Sequence, residues 1–252
     1  ATLRELIEAA GSTLVEAHTS AEDAQEVLEQ AEQRIFHIAQ KREHASAQDL
    51  GSLLDPTSTA VLTMELQRGV VGDLAALPHL RDAAALVSMP ANAGRICASA
   101  RTAGATVVHC TAEFRPDRKG SATNARILGA SQKLNGGRLD SGQPGTELIP
   151  ELGADAGDLV VARTHGLTPF VATELDQLLR NCGIRTVVAV GNSINIGILG
   201  LVLAAVDLGY QVVVPSDAVV GVPVEYGESV MENTISLLAT VVPTDAVLAA
   251  SS

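Results

Sequence analysis

Three apolar, β-branched runs of this chain end in polar groups of different kinds. Ala60–Glu65 ends in a carboxylate, Asp158–Ala162 is followed by Arg163 and His165, and Thr186–Gly191 is followed by Asn192 and Ser193. A fourth run, Thr106–Cys110, closes on His109-Cys110 with Glu113 and Arg115 just beyond, and a fifth, Gln211–Val214, leads to Asp217. A carboxylate and an imidazole can move protons, a guanidinium can hold an anion, and a thiol can attack. Cys110 is either such a nucleophile or a small buried hydrophobe. Its neighbour His109 points to the opposite face of a strand, which argues against a Cys/His pair. Cys97 and Cys182, on or at the end of helices, read as packing, and Asp207 and Asp217 as helix caps or loop anchors.

These groups meet only if the runs are neighbouring strands. With a sixth short run, Thr240–Val242, all are apolar on both faces, as strands of a parallel sheet covered on both sides are. Helical segments fall between them. One begins near Ser88, with Pro90 in its first turn, and runs to about Thr102. One spans Thr173–Cys182, with Thr173 as cap and Gly183 as stop. Two more span about Ile196–Leu208 and Glu225–Leu238. The expectation is an α/β fold: a three-layer αβα, doubly wound, Rossmann-like domain over residues 58–252 with a six-stranded parallel sheet. Ligands bind such sheets beyond the carboxyl ends of the strands, the rim where the polar residues collect. Residues 111–157, rich in Gly, Ser, Asn, Asp and Arg, read as an excursion over one edge of the sheet.

Residues 1–50 read differently. Leu3, Ile7 and Leu14, then Val27, Ala31, Ile35 and Ile38, recur at helical spacing among Glu and Gln. This predicts a helical hairpin whose apolar stripes need a partner surface, and so a homo-oligomer joined through the N-terminal helices. The stretch resembles the N-terminal and linker region of bacterial replicative helicases; an ordinary Glu/Ala/Leu-rich hairpin would read the same by composition. There is no GxxxxGK[ST] loop, so no helicase motor follows. A polar linker is expected over roughly Ala45–Ser58.

Composition narrows the function. A net charge of −12 with no tryptophan speaks against nucleic-acid and anionic-membrane partners. No apolar run approaches the ~20 residues that span a bilayer. Three cysteines without CxxC spacing fit a reduced, cytoplasmic chain. No motif calls for a cofactor.

The segments VLTMELQ, VARTHGLTPFVATELD and VVAVGNSINIGILGLVLAAVDLGYQVVVPSDA stand in an order that resembles the isochorismatase-like cysteine hydrolases, over about residues 58–248. In that family the first strand usually ends Asp-Met-Gln, where this chain has Glu65-Leu66-Gln67. The third usually ends in lysine, where it has Arg163, followed by a motif ending in Phe170. The turn after the fourth usually carries the nucleophilic cysteine, where it has Gly197, and commonly holds a non-proline cis peptide, by position Asn192–Ser193.

The resemblance implies a pocket whose catalytic positions are Glu65, Arg163 and Gly197, lined by Gln67, Glu113, His165, Phe170, Asn192 and Ser193. Glu65 keeps the carboxylate; Arg163 keeps the charge but cannot give up its proton, and a pair between them would make Glu65 a base rather than an acid. Gly197 removes nucleophilic catalysis and is expected to leave a small void, with backbone N–H groups that could take an oxyanion. The loop TAEFRPDRKGS has no histidine for the family's metal site, so no metal is expected. The function implied is hydrolysis of a small molecule, an anionic one among the candidates, with an amide or vinyl-ether bond, by carboxylate acid/base chemistry. The alternative is a catalytically inactive member that binds a ligand or serves as a scaffold.

Overall fold

The computed structural model describes residues 50–251, so the expected hairpin lies, save Leu50, outside the described residues. The strands are β1 (Thr59–Met64), β2 (Thr106–Ala112), β3 (Leu159–Arg163), β4 (Thr186–Asn192), β5 (Gln211–Pro215), β6 (Val219–Val220) and β7 (Thr240–Val242). They form one parallel sheet in the order β3-β2-β1-β4-β5-β7, with β6 paired to β4 beyond the end of β5. The two-residue β6 is the strand that the sequence did not announce: Val219 and Val220 alone give no alternation to read. The chain winds outward from β1 to β3, then returns to β4 on the other side of β1, so the direction reverses between β1 and β4. Register there sets Met64 opposite both Cys110 and Gly191, and Ala112 opposite Arg163.

Alternation along the strands feeds two apolar layers. On one face Leu62, Met64, Val108, Cys110, Val187 and Ala189 pack under α4 (Leu175–Asn181) and α5 (Leu199–Asp207). On the other, Val61, Val107, Val188 and Val190 pack under α1 (Pro78–Leu86), α2 (Met89–Ala103) and the C-terminal helix Thr244–Ala250. Fully burying one such Val or Leu side chain contributes about 1.5–3 kcal/mol, so the two layers together make the sheet the rigid part of the molecule. Ser88 precedes α2 in a left-handed conformation and Pro90 lies in its first turn. Helix α4 is shorter than the sequence suggested, but the Thr173 hydroxyl still accepts from Leu175 N–H at 3.3 Å.

Two helices are irregular. Ile194–Ile198 is a π-turn that runs into α5, and α6 (Val224–Val230) passes through a second one, Met231–Ile235. The expected polar linker is, where described, part of the fold: Leu50 and Leu54 are buried in the second layer, and Asp55 accepts from Thr57 N–H to cap the turn Pro56–Ser58. Cys182, expected to pack, is exposed. The excursion carries α3 (Arg126–Asn135), none of whose residues is buried. No helix among the described residues is long and apolar enough to cross a membrane.

Candidate functional site

Glu65 is the first residue past β1, held in a left-handed conformation (φ 51°). Its N–H donates to Cys110 C=O at 2.9 Å, and its C=O accepts from Asn192 Nδ2 at 3.1 Å. The turn of the backbone throws its side chain out of the strand's alternation and across β2 to the end of β3. There the carboxylate accepts from Arg163 Nη2. Arg163 ends β3, is 7% exposed against 19% for Glu65, and also donates from Nε to Gly166 C=O at 3.3 Å. Two of the three positions that the resemblance makes catalytic are therefore in contact at the carboxyl end of the sheet, reaching across β2 from β1 to β3.

Gly197, the third position, lies in the π-turn after β4. The expected void above it is filled: a Cβ there would stand 3.0 Å from Asn192 O and 3.2 Å from Met64 Cε. The turn's amides are also partly spent, since Ile196 and Ile198 N–H both donate to Ser193 C=O, at 3.1 and 3.0 Å. The Asn192–Ser193 peptide is cis, and the Ser193 hydroxyl donates to Asn195 Oδ1.

Two of the residues expected to touch substrate serve the fold instead. Gln67 is fully buried; its amide donates to Ala112 C=O (3.1 Å) and Thr146 C=O (3.0 Å) and accepts from Ala112 N–H (2.8 Å). Asn192, 1% exposed, spends its amide nitrogen on the carbonyls of Met64 (3.3 Å) and Glu65 (3.1 Å), tying β4 to the end of β1. Phe170 stacks on Tyr210, centroids 5.9 Å apart, and Tyr210 precedes β5 at its amino end, so the ring belongs to the core. Glu113 accepts from the Ser141 hydroxyl at 2.6 Å where the excursion begins. His165, half-buried two residues past Arg163, makes no hydrogen bond among the described residues.

Burial pushes the Cys110 thiol up to about 12, so it is an inert member of the core rather than a relocated nucleophile. His109 faces the other layer. Its Nδ1 meets the Thr63 hydroxyl at 2.8 Å and its Nε2 the Asp158 carboxylate at 3.0 Å. Because an ionised carboxylate only accepts, Nε2 carries the proton and Nδ1 accepts from Thr63. A groove of about 410 Å³ lies between the loop after β1 and residues 147–151, but it is lined by Arg68, Asp73 and Glu147, already bonded to one another, and by neither Glu65 nor Arg163.

A parallel sheet with its polar groups gathered at the switch point agrees with a comparison of the whole chain, in which residues 59–246 match the isochorismatase domain. The chain belongs to the isochorismatase family. Among curated members, the uncharacterized isochorismatase family protein YwoC of Bacillus subtilis (strain 168) is 39% identical over 72 residues, which cover 29% of this chain and 38% of that protein. The uncharacterized family protein YecD of Escherichia coli O157:H7 is 29% identical over 174 residues, 66% of this chain and 81% of that protein. A cysteine hydrolase from Pseudomonas syringae pv. phaseolicola 1448A superposes with a TM-score of 0.65 at 21% identity, over 79% of this chain and 94% of that one, which shows the shared fold.

Within the isochorismatase family frame, two contributors escaped the sequence reading. Met64, whose Cε occupies the space over Gly197, looked like one more core residue of its strand. Thr168, its hydroxyl buried without a partner among the described residues and its methyl against Gly200, one helical turn past Gly197, carried no signal beyond lying in the loop after Arg163.

Proposed function

We propose that this isochorismatase family member hydrolyses a small molecule without a covalent cysteine intermediate, by proton transfer at Glu65. The observation that carries the reading is the Glu65–Arg163 contact at the carboxyl end of the sheet, between the ends of β1 and β3. A guanidinium is a poor proton carrier, which leaves the carboxylate of Glu65 as the group of the pair that can move a proton. Of the two bond types considered, this favours the amide. Glu65 takes a proton from water as its oxygen bonds to the carbonyl carbon, and returns it to the nitrogen as the C–N bond breaks, giving an acid and an amine. A vinyl ether would instead need an acid able to protonate carbon at the outset.

The test is Glu65→Gln, which keeps shape and removes the proton acceptor. We expect kcat on an amide panel, read as amine release, to fall by about 10²–10⁴-fold; unchanged turnover would sink the mechanism. The same ion pair favours a second reading, a ligand-binding or scaffold subunit, because it occupies both charged groups. That reading expects ligand-dependent stabilisation with no turnover on amides or vinyl ethers.

A further inference from the structure

Helix α3 leaves one whole face uncovered. Arg126, Ile127, Ala130, Lys133 and Leu134 are all exposed, Leu134 by 52%, and spacings of three, four and seven put them on one side of a helix. Neither Arg126 nor Lys133 has a carboxylate partner among the described residues. A helix of ten residues is too short to persist alone in water, and this one buries none of its residues within its own chain. Its charge is one-sided as well. From Arg115 to Arg138 the chain has six cations against one carboxylate, Asp117, although the whole chain carries −12.

The other half of the sheet carries the complement. Helix α5 is apolar all the way round, with Asp207 its single charged residue. Leu201, Val202 and Ala205 are buried on its inner side, while Leu203, 45% exposed, and Val206 stand on the outer one. Leu237, 77% exposed, lies in the short turn Ser236–Leu238, which packs beside α5. A helix that is apolar on every side belongs in an interior, and an exposed apolar patch marks an interaction surface. The charge around this patch is one-sided in the opposite sense. Residues 186–252 hold six carboxylates and no lysine or arginine. Two of the six, Asp207 next to Val206 and Glu232 one helical turn before Ser236, are exposed and have no ion-pair partner among the described residues.

We propose that the two surfaces meet across two copies of this chain: the Ile127–Leu134 face of α3 in one copy docks on Leu203, Val206 and Leu237 of the other, with Arg126 and Lys133 against Asp207 and Glu232. Both faces are exposed, so they do not meet within one copy. Charge complementarity selects the occupant. Two α5 faces set together would oppose carboxylates, and two α3 faces would oppose cations. Every copy carries both halves, so a two-fold axis makes the contact twice and closes a dimer. The interface stands apart from the hydrolase reading and holds whether or not Glu65 moves a proton.

The test is sedimentation of the full chain at low and high salt. A dimer is expected, with a dissociation constant that rises with salt. Reversing α3 with Arg126→Glu and Lys133→Glu should weaken it at least ~10-fold, and reversing the α5 side with Asp207→Lys and Glu232→Lys should do the same. All four side chains are exposed, so both variants should keep the circular dichroism of the parent. Mixed one to one, the two reversed chains should associate again, because each then meets opposite charge at both contacts. A chain that stays monomeric overturns the proposal. So does a dimer indifferent to both reversals, or sensitive to only one, since its contact would then lie elsewhere, residues 1–49 included. A mixture that associates no better than either reversed chain alone overturns it too.

Discussion

Gly191→Ala is expected to cost about 3–5 kcal/mol of stability, near the upper end of what single substitutions do. Gly191 lies in the centre of the sheet at φ 116°, and a Cβ there would stand 2.4 Å from the carbonyl oxygen of Met64 and 3.0 Å from its nitrogen. Both contacts are with backbone of the adjacent central strand, so no rotamer change relieves them. At roughly 2–4 °C per kcal/mol for a domain of this size, the thermal midpoint should drop by about 10 °C. Gly104→Ala is the control. Its φ of 81° is equally unsuited to alanine, but nothing lies within 4 Å of the added carbon, so only a conformational cost of about 1–2 kcal/mol applies. Equal losses for the two variants would show that the approach of β4 to β1 is not what glycine secures here. Because Glu65 follows Met64, the proposed hydrolysis should also be slower in whatever fraction of Gly191→Ala folds.

The second large effect belongs to Asp158, on the opposite layer. Its carboxylate accepts from Arg101 Nε (3.0 Å) and Nη2 (2.7 Å), from His109 Nε2 (3.0 Å) and from Asp155 N–H (2.9 Å), while being 4% exposed. Asp158→Ala leaves a buried imidazole N–H and a half-buried guanidinium without their anion, which should cost about 3–5 kcal/mol. Burial pushes the Asp158 carboxyl up, but the hydrogen bonds from Arg101, Asp155 and His109 outweigh it and hold the group at about 2. The folded state thus keeps the charge longer than the unfolded chain. The stability this contributes, about 2 kcal/mol, is present above pH ~4 and lost as pH falls towards 2. Burial lowers the affinity of His109 for a proton, opposed by Asp158. The unfolded chain therefore binds that proton first, and stability starts to decline below about pH 6.5. Urea unfolding followed from pH 7 down to 3 should show both losses in the parent, and Asp158→Ala should flatten the lower one. A parent whose unfolding free energy does not change over that range would contradict the assignment.

The sheet was legible because its signals are local: six β-branched runs, mostly apolar on both faces, five of them with polar residues at or just beyond the carboxyl end. A doubly wound sheet with polar residues at its carboxyl end was legible too, but not that the direction reverses between β1 and β4, and a Glu65–Arg163 pair stood only as one of two roles open to Arg163. What escaped depends on partners far along the chain. Gln67 and Asn192 were expected in the pocket because the family resemblance puts them beside Glu65 and in the turn after the fourth strand, and nothing local says how deeply they are buried. Their actual partners, Ala112 and Met64, lie 45 and 128 residues away, and both amides satisfy backbone groups freed where strands end. The two π-turns differ from an α-helix by less than one residue per turn, too little to shift a short apolar pattern. Helix α3 has Ile127, Leu128 and Leu134 at helical spacing, but they stand among Gly, Ser and Asn that read as loop.

The Gln67 clip has a mechanical corollary for residues 111–157. At the near end Gln67 is stitched to Ala112, and at the far end to Thr146. Arg68 N–H and Gly69 N–H add bonds of 2.8 and 2.9 Å to Glu147 and Gly145. Phe114 and Leu139 close a smaller neck, N–H to C=O at 2.8 Å, with Ser141 N–H returning to Phe114 C=O at 2.8 Å. The excursion is thus double-knotted at its base, and within it the Ser121 hydroxyl adds a bond of 3.2 Å to Thr164 C=O just past β3, so the loop is tied to the sheet at several points along its length rather than only at its two ends.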